Sequence, residues 1–319
     1  MDRQGRLRQG ADRPPGAGRQ GDSVSTPAIR RKDGWWAAFF LAPQLSFLLV
    51  FLVGPLFFAL GLAFMKWDGL GAKSWIGFDN FSRLLHDGDF GRSVFNTMML
   101  AVLTVPVGLL IALLLALTLQ AIKGRTVYRV VYFLPVVTSS VAVGVIWQVI
   151  LASGGTGVLN GTIQNLFGIT PPDWLMSTEW VIVAIAVVTI WSSLGLNVVI
   201  FLAGLSTIPP NVLEAARIDG AGPWRMFRSI YVPMLSPTIF FCTVVSVISS
   251  FQAFDQIYVL VNPAHNEGAR TIVYHVYEQG FRKFEFGLSS AAALILLVLT
   301  LLVTLVQFAA QKRLVQYDS

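Results

Sequence analysis

The sequence predicts an all-α membrane protein that crosses the bilayer several times. Of its 319 residues, 55% are hydrophobic and only 13% are charged, and the mean hydropathy is +0.66. A chain of this composition is too apolar for an ordinary soluble domain. It also contains uncharged runs of about 20 residues, the length that a helix needs to cross the hydrocarbon. Because lipid cannot hydrogen-bond to open backbone groups, these runs are predicted to be helices.

Six such runs predict six transmembrane helices. They lie near Trp35–Leu62, Val94–Leu119, Val130–Ala152, Trp180–Ala203, Thr238–Leu260 and Leu288–Ala310. Prolines within them, such as Pro43 and Pro106, predict kinks, since membrane helices tolerate proline. The runs define a transmembrane domain over residues 35–310 and a C-terminal tail over 311–319. Residues 1–34 are rich in Arg, Gly, Pro and Asp and poor in large apolar residues, which predicts a disordered tail.

The basic residues predict the orientation in the cell membrane. Of the 23 Lys and Arg residues, 16 lie in the N-terminal tail, the links at 121–129 and 204–235, and the C-terminal tail. An excess of Lys and Arg marks cytoplasmic segments. Both termini are therefore predicted to be cytoplasmic. The same distribution accounts for the net charge of +6, so the basicity gives no indication of a nucleic-acid partner.

The 204–235 link concentrates polar residues in the stretch EAARIDGAGPWRMFRSIYVP, residues 214–233. A short helix over about 211–219 is expected to end at Gly220, and a second helix is expected after Pro223. Small Ala215 and Ala216 would allow close approach of another protein. Carboxylates at Glu214 and Asp219 would attract a basic partner. A solvated amphipathic linker is the alternative interpretation.

Polar residues recur on single faces of the fourth and fifth predicted helices. A solute path near the bilayer midplane would require such groups. The candidates are Thr189, Ser193 and Asn197 in the fourth helix and Thr243, Ser246 and Ser250 in the fifth, with Trp191 and Phe251 as rings that could stack on a sugar. Helix-to-helix packing is the alternative, because small polar residues also join membrane helices.

Asp255 is the one carboxylate close to the interior of a predicted span. Buried acids in membranes are functional candidates. In one straight helix, however, Asp255 would lie roughly 120–140° around the axis from the face that carries Thr243, Ser246 and Ser250. A structural role at an interface and a ligand role both remain open.

The 214–233 stretch resembles the EAA signature of permease subunits of binding-protein-dependent ABC importers. The matching residues are Glu214-Ala215-Ala216, Gly220, Ile230 and Pro233, whereas Val232 stands where the signature usually has Leu. The wider chain is similar to the carbohydrate-uptake branch, in particular to the maltose and glycerol-3-phosphate F/A-type subunits. The segments that carry this similarity are Tyr128–Pro135, Gly157–Asn160, Asp173–Leu175, Ala203–Leu205 and Phe254–Leu260.

The resemblance implies a type I ABC importer permease fold and a subunit without catalysis of its own. It implies that a cytoplasmic ATPase docks on the 204–235 coupling loop, at Glu214, Ala215, Ala216, Asp219, Gly220, Ile230 and Pro233. Closure of that ATPase around ATP and Mg would then drive alternating access. The implied partners are a second, homologous permease, two ATPase subunits and an extracytoplasmic solute-binding protein. This chain would bind no cofactor or metal, and its implied cargo is a sugar or oligosaccharide. A glycerol-phosphodiester-like or other small polar solute is the alternative.

Two other classes fit the residues less well. An ion-coupled secondary transporter would need ionisable groups in mid-span, and the first four predicted helices contain no charge. A membrane-embedded enzyme would need a cluster of ionisable or metal-binding groups at one membrane level. His86, His265 and His275 are scattered outside the predicted spans, without metal-ligand spacing.

Overall fold

The computed structural model describes residues 31–121, 132–154 and 157–314. Most of the predicted N-terminal tail, residues 122–131 with the start of the third predicted span, and the end of the C-terminal tail lie outside these ranges. The chain divides into two compact units, Met1–Pro55 and Leu56–Ser319.

The first predicted span is helical from Arg31 onwards. Helix α1 (Arg31–Leu48) continues through one π-helical turn (Leu49–Val53) into α2 (Gly54–Leu62). Pro43 lies inside α1 without ending it. Within the apolar stretch Ala38–Leu62, the most apolar 18 residues have a mean hydropathy of 2.5, and only 6% of them are buried. These apolar side chains are suited to a lipid environment or to another subunit.

A small hairpin follows the first span. Strand β1 (Met65–Lys66) pairs antiparallel with β2 (Ser74–Trp75), with Met65 opposite Trp75. Helix α3 (Asp79–His86) comes next and buries Leu84. We call the end of the molecule that carries these elements the hairpin side.

Helix α4 (Gly88–Ala121) starts on the hairpin side and is the longest helix described. It begins before Val94, where the predicted span began. That prediction followed the uncharged run, whereas the first turns of the helix contain the charged residues Asp89 and Arg92. Residues 132–137 are helical, and a break at 138–139 separates them from α5 (Ser140–Ile150). The third predicted span is therefore divided. Helix α6 (Val158–Phe167) lies between it and the fourth.

Helix α7 (Val181–Ser206) packs against α4 over much of its length. Its 26 residues extend about 39 Å at 1.5 Å per residue, enough to cross the hydrocarbon. Ala116, Leu119, Leu205 and Ile208 share one apolar core cluster, so α4 and α7 end near each other. We call this end, which also holds the 204–235 link, the loop side.

The loop side contains α8 (Pro210–Ile218), α9 (Pro223–Met226), a π-helical turn (Phe227–Tyr231) and α10 (Val232–Met234). Helix α11 (Ser236–Phe251) then returns through the core. The axis bends by 70° between Pro223–Met234 and Ser236–Phe251. Thr207 does not cap α8, because its hydroxyl donates to the carbonyl of Gly204 at 2.8 Å, and Pro209 occupies the N-cap position.

The predicted span near Thr238–Leu260 is divided between two helices. Helix α11 ends at Phe251, and α12 (Asp255–Val261) begins after Phe254, whose backbone lies at φ −139° and ψ −63°. A 3-10 turn (Glu267–Ala269), α13 (Ile272–Tyr277) and a π-helical turn (Glu278–Arg282) lead to α14 (Phe286–Leu314). This last helix continues past the predicted end at Ala310.

The described residues are mostly helical. Four of their helices are long and apolar enough to span a membrane, and the bent pair makes a fifth if its two halves form one span. With the divided third run, the architecture fits the predicted six-span, all-α fold.

Candidate functional site

A cavity lined by both polar and apolar residues lies between α4, α7 and α11. Its volume is about 90 Å³. It contains most of the predicted polar stripes, since α7 contributes Thr189, Ser193 and Asn197 and α11 contributes Ser246 and Ser250. Packing of the two helices against α4 therefore brings the two stripes to one place.

Hydrogen bonds hold several of the cavity hydroxyls. The Thr104 hydroxyl on α4 donates to the carbonyl of Leu100 at 2.7 Å and lies 3.3 Å from Oγ of Ser250. The Ser193 hydroxyl donates to the carbonyl of Ile190 at 3.2 Å. Each of these oxygens retains acceptor capacity for a solute hydroxyl.

The cavity is uncharged and small. All its lining residues are neutral, and the polar ones offer hydroxyls and one amide: Thr104, Thr189, Ser193, Asn197, Ser246, Ser249 and Ser250. Pockets that hold small molecules usually measure about 300–1,000 Å³. The cavity is therefore too small for a sugar in this arrangement, and solute entry requires helix movement or a second subunit.

Three predicted path residues lie away from this cavity. Trp191 is 38% exposed and meets Trp147 edge to face, with ring centroids 5.7 Å apart. Phe251 is 1% exposed inside the apolar core, so its ring has no open face for a sugar. Asp255 is exposed in the first turn of α12. The further stripe member Thr243 lines a separate, mainly apolar cavity of about 420 Å³.

Three further polar residues at these cavities were not predicted from the sequence: Thr104, Ser249 and Gln256. Gln256 lines a second polar cavity of about 170 Å³, which shares Ser193 with the first and also contains Ser192. Its buried Nε2 has no hydrogen-bond partner among the described residues. Thr104 is the only member of this set on α4. Ser93 and Thr97 precede it on the same helix face, a signal that could have pointed to it.

The predicted turn at Gly220 is a Schellman motif at the end of α8. The Ala221 amide donates to the carbonyl of Ala216 at 2.9 Å, and the Gly220 amide donates to the carbonyl of Arg217 at 3.1 Å. Gly220 has φ +74°, in the left-handed region that favours glycine. The expected helix and turn are thus both present.

The coupling loop presents a mixed surface. Glu214, Ala215 and Asp219 are exposed, and two large apolar side chains flank the turn, Ile218 at 86% and Trp224 at 70% exposed. Exposed apolar groups beside carboxylates are typical of a protein interface. Ala216 is half-buried, as are Ile230 and Pro233 nearer the membrane helices.

Packing links this surface to the core helices. Leu213 packs against the apolar core cluster, and Met226 is buried, with 7% of its surface exposed. Phe227 and Val232 line the apolar cavity together with Leu109 of α4. Direct contacts therefore join α8 and the segment after its turn to the apolar core that α4 and α11 share.

Similarity to known proteins identifies the family. The profile of the family described as "Binding-protein-dependent transport system inner membrane component" matches residues 88–316. The chain belongs to this family. It is therefore a multi-pass ABC importer permease, a transport component of the inner membrane.

Individual relatives agree with this assignment. The permease is 30% identical over 291 residues to the arabinooligosaccharides transport system permease protein AraP of Bacillus subtilis, covering 88% of this chain and 92% of AraP. It is 32% identical over 285 residues to the sn-glycerol-3-phosphate transport system permease protein UgpA of Brucella abortus, covering 88% of this chain and 96% of UgpA.

A solved structure shares the fold. The bacterial alginate ABC transporter, in complex with an alginate pentasaccharide-bound periplasmic protein, has a chain that matches with a TM-score of 0.79 and 27% identity. The match covers 90% of this permease and 98% of that chain.

Proposed function

We propose that this permease carries a sugar or oligosaccharide and that its cavity between α4, α7 and α11 is one wall of the path. The uncharged lining supports this proposal, since hydroxyls and an amide suit a solute that offers hydroxyl groups without charge. The sugar-transporting names of AraP and the alginate transporter support the same cargo class.

The proposed coupling runs through the exposed turn at Gly220. An ATPase subunit binds α8 by contacts to Glu214 and its small neighbours Ala215 and Ala216, and it supplies ATP and Mg chemistry in trans. Closure of two ATPases then moves α8, and the contacts of Leu213 and Phe227 carry this movement to the membrane helices. A second permease completes the path, and an extracytoplasmic solute-binding protein delivers the cargo. Both termini of this permease then lie in the cytoplasm.

Reconstitution tests the proposal. The permease is placed in proteoliposomes with a candidate second permease, ATPase and binding protein, and solute-stimulated ATP hydrolysis is measured across a panel of sugars. The double variant Glu214→Lys with Gly220→Pro is expected to abolish stimulation while the helices still insert. Asn211→Lys, on the same exposed helix outside the signature, is the control for added charge.

If the double variant couples as well as the original, the loop is only a linker. If the original responds to no sugar, the cargo assignment fails while the coupling assignment still stands on any solute that does stimulate hydrolysis.

One second candidate has a specific observation in its favour. UgpA of Brucella abortus is named for sn-glycerol-3-phosphate transport, so a glycerol phosphate or phosphodiester belongs in the panel. The neutral cavity lining argues against this cargo, because a phosphate is usually bound by Arg or Lys. Stimulation by sn-glycerol-3-phosphate and by no sugar would establish the second candidate.

A further inference from the structure

A row of aromatic rings crosses the hairpin side from α12 to the start of α14. Ring centroids lie 5.2 Å apart for Phe254 and Tyr277, 5.8 Å for Tyr277 and Phe281, and 6.4 Å for Phe281 and Phe286. Tyr258 joins the row 5.5 Å from Tyr277. We call these five residues the aromatic strip.

The aromatic strip keeps substantial ring area open. Phe281 is 66% and Tyr258 is 37% exposed, and the other three rings are half-buried. The Tyr274 ring is 1% exposed, and its centroid lies 6.5 Å from that of Tyr258. It therefore packs on the buried side of the strip. Large rings that stay open beside a packed ring form a surface available to a ligand.

Charged residues alternate with the rings along the chain. Asp255 follows Phe254 and is exposed. Glu278 follows Tyr277, and Arg282 follows Phe281. The Arg282 guanidinium donates to the Tyr274 hydroxyl at 3.4 Å. Such charges are costly in hydrocarbon, so this surface faces water or protein rather than lipid tails.

A left-handed residue extends the same surface. Phe284 has φ +58°, a conformation that is an outlier for a bulky side chain. Its ring is 58% exposed and lies 6.4 Å from Phe286. The fold thus keeps an unfavourable backbone conformation at the position that places one more open ring beside the strip.

We propose that the aromatic strip, with Asp255 and Arg282, binds the rings of a carbohydrate. A pyranose offers an apolar C–H face that packs on an aromatic ring and hydroxyls that bind a carboxylate or guanidinium. No strip residue lines the cavity between α4, α7 and α11, so the strip is a separate contact site. This inference rests on the proposed carbohydrate cargo and adds a contact outside the helix core.

A tryptophan reporter tests the strip in the assembled importer in nanodiscs. Phe281→Trp places the reporter in the strip, and Phe78→Trp, at an exposed ring outside it, is the matched control. The probes are maltotriose, arabinotriose and an alginate trisaccharide, with sorbitol as a polyol without a ring. At least one trisaccharide is expected to change the emission of Phe281→Trp saturably, with no change at Phe78→Trp.

Second-site changes identify the ring that binds. Adding Tyr277→Leu is expected to weaken the apparent affinity at least tenfold, whereas Tyr277→Phe keeps the ring and the response. The inference is overturned if no trisaccharide changes the tryptophan emission of Phe281→Trp. It is also overturned if the emission of Phe78→Trp changes equally. Loss of the second permease on purification of Tyr277→Leu also overturns it, because the strip would then be a subunit contact.

Sugar-stimulated ATP hydrolysis is measured on the same preparations. If sugars stimulate hydrolysis but the reporter is silent, only the strip inference fails. If no sugar stimulates hydrolysis, the proposed cargo fails, and the reporter still decides whether the strip binds carbohydrate.

Discussion

At the scale of single residues, Gly220 is required by its backbone conformation, whereas the space around it would admit a larger side chain. A Cβ at Gly220 would have nothing within 4 Å, yet φ is +74°. Gly220→Ala is therefore expected to cost about 1–2 kcal/mol of local conformational energy. Binding of the ATPase to the coupling loop should weaken roughly 5–30-fold, measured by titrating the ATPase onto the permease in nanodiscs.

Gly222 provides the matched control for this change. It also has open space around the position of a Cβ, but its φ of −68° suits any L residue. Gly222→Ala should bind the ATPase like the original. Equal weakening by both variants would show that the methyl group obstructs the partner and that the turn conformation is unimportant.

The buried His275 is expected to make the free energy of unfolding depend on pH. It is 2% exposed against the Phe90 ring, with centroids 5.2 Å apart. Burial lowers its pKa below the ordinary 6.5, although the charges of Asp87, Glu278 and Asp89 oppose the shift and Lys283 adds to it. The unfolded chain therefore binds the proton more readily than the folded chain. Stability is full above about pH 6.5 and falls as the pH drops towards the lowered pKa.

The measurement is the melting temperature of the purified permease at pH 7.5 and pH 5.5. The original should lose stability at the lower pH, and His275→Gln should lose less. His86→Gln, at an exposed position, should behave like the original. An unchanged pH response in His275→Gln would assign the effect to other groups.

At the scale of elements, the packing of α7 depends on Gly195. A Cβ there would lie 2.1 Å from the carbonyl oxygen of Tyr132, so α7 and the 132–137 helix approach at backbone distance. Gly195→Val should push them apart and destabilise the permease by about 1–3 kcal/mol, the usual cost of overpacking. Thermal unfolding in detergent measures the loss.

Gly91 in α4 is the control for this helix contact, because a Cβ there would meet nothing within 4 Å. Gly91→Val should leave the melting temperature close to the original. A similar loss in both variants would point to helix propensity or insertion rather than to the contact with Tyr132.

Local signals made some elements predictable and left others hidden. The helix before Gly220 could be read from a proline start, a glycine end and the residues between. The polar stripes could be read from their spacing on α7 and α11. The break before Asp255 could not be predicted, because Gln252 and Ala253 carry no strong helix-breaking signal. The Phe254 ring also contacts Tyr277, which is distant in the sequence.

Contacts between elements set the remaining details of the site. Thr104 meets Ser250 from a helix 146 positions earlier in the chain, a contact that the sequence does not show. Phe251 was expected to face the solute, but the packing of α4, α7 and α11 places it in the apolar core. Which face of a helix points into the cavity depends on the helices packed around it, and the sequence of that one helix does not identify them.

At the scale of the whole molecule, the hairpin side and the loop side are predicted to face opposite aqueous compartments. Helix α7 alone is long enough to separate them across the hydrocarbon. Leu70 on the hairpin side is 98% exposed, and Ile218 on the loop side is 86% exposed. The native Cys242 is 0% exposed, so added cysteines can be labelled over a low background.

The orientation can be read by labelling intact cells with a membrane-impermeant maleimide. Leu70→Cys should react in intact cells, because the hairpin side is predicted to be extracytoplasmic. Ile218→Cys should react only after the membrane is permeabilised, since the basic loop side is predicted to remain in the cytoplasm. The reverse pattern would place the coupling loop out of reach of a cytoplasmic ATPase and would remove the basis of the proposed mechanism. Labelling of both positions in intact cells would show that the helices between them do not form a closed barrier. The expected pattern would place the coupling loop where a cytoplasmic ATPase can reach it, as the proposed mechanism requires.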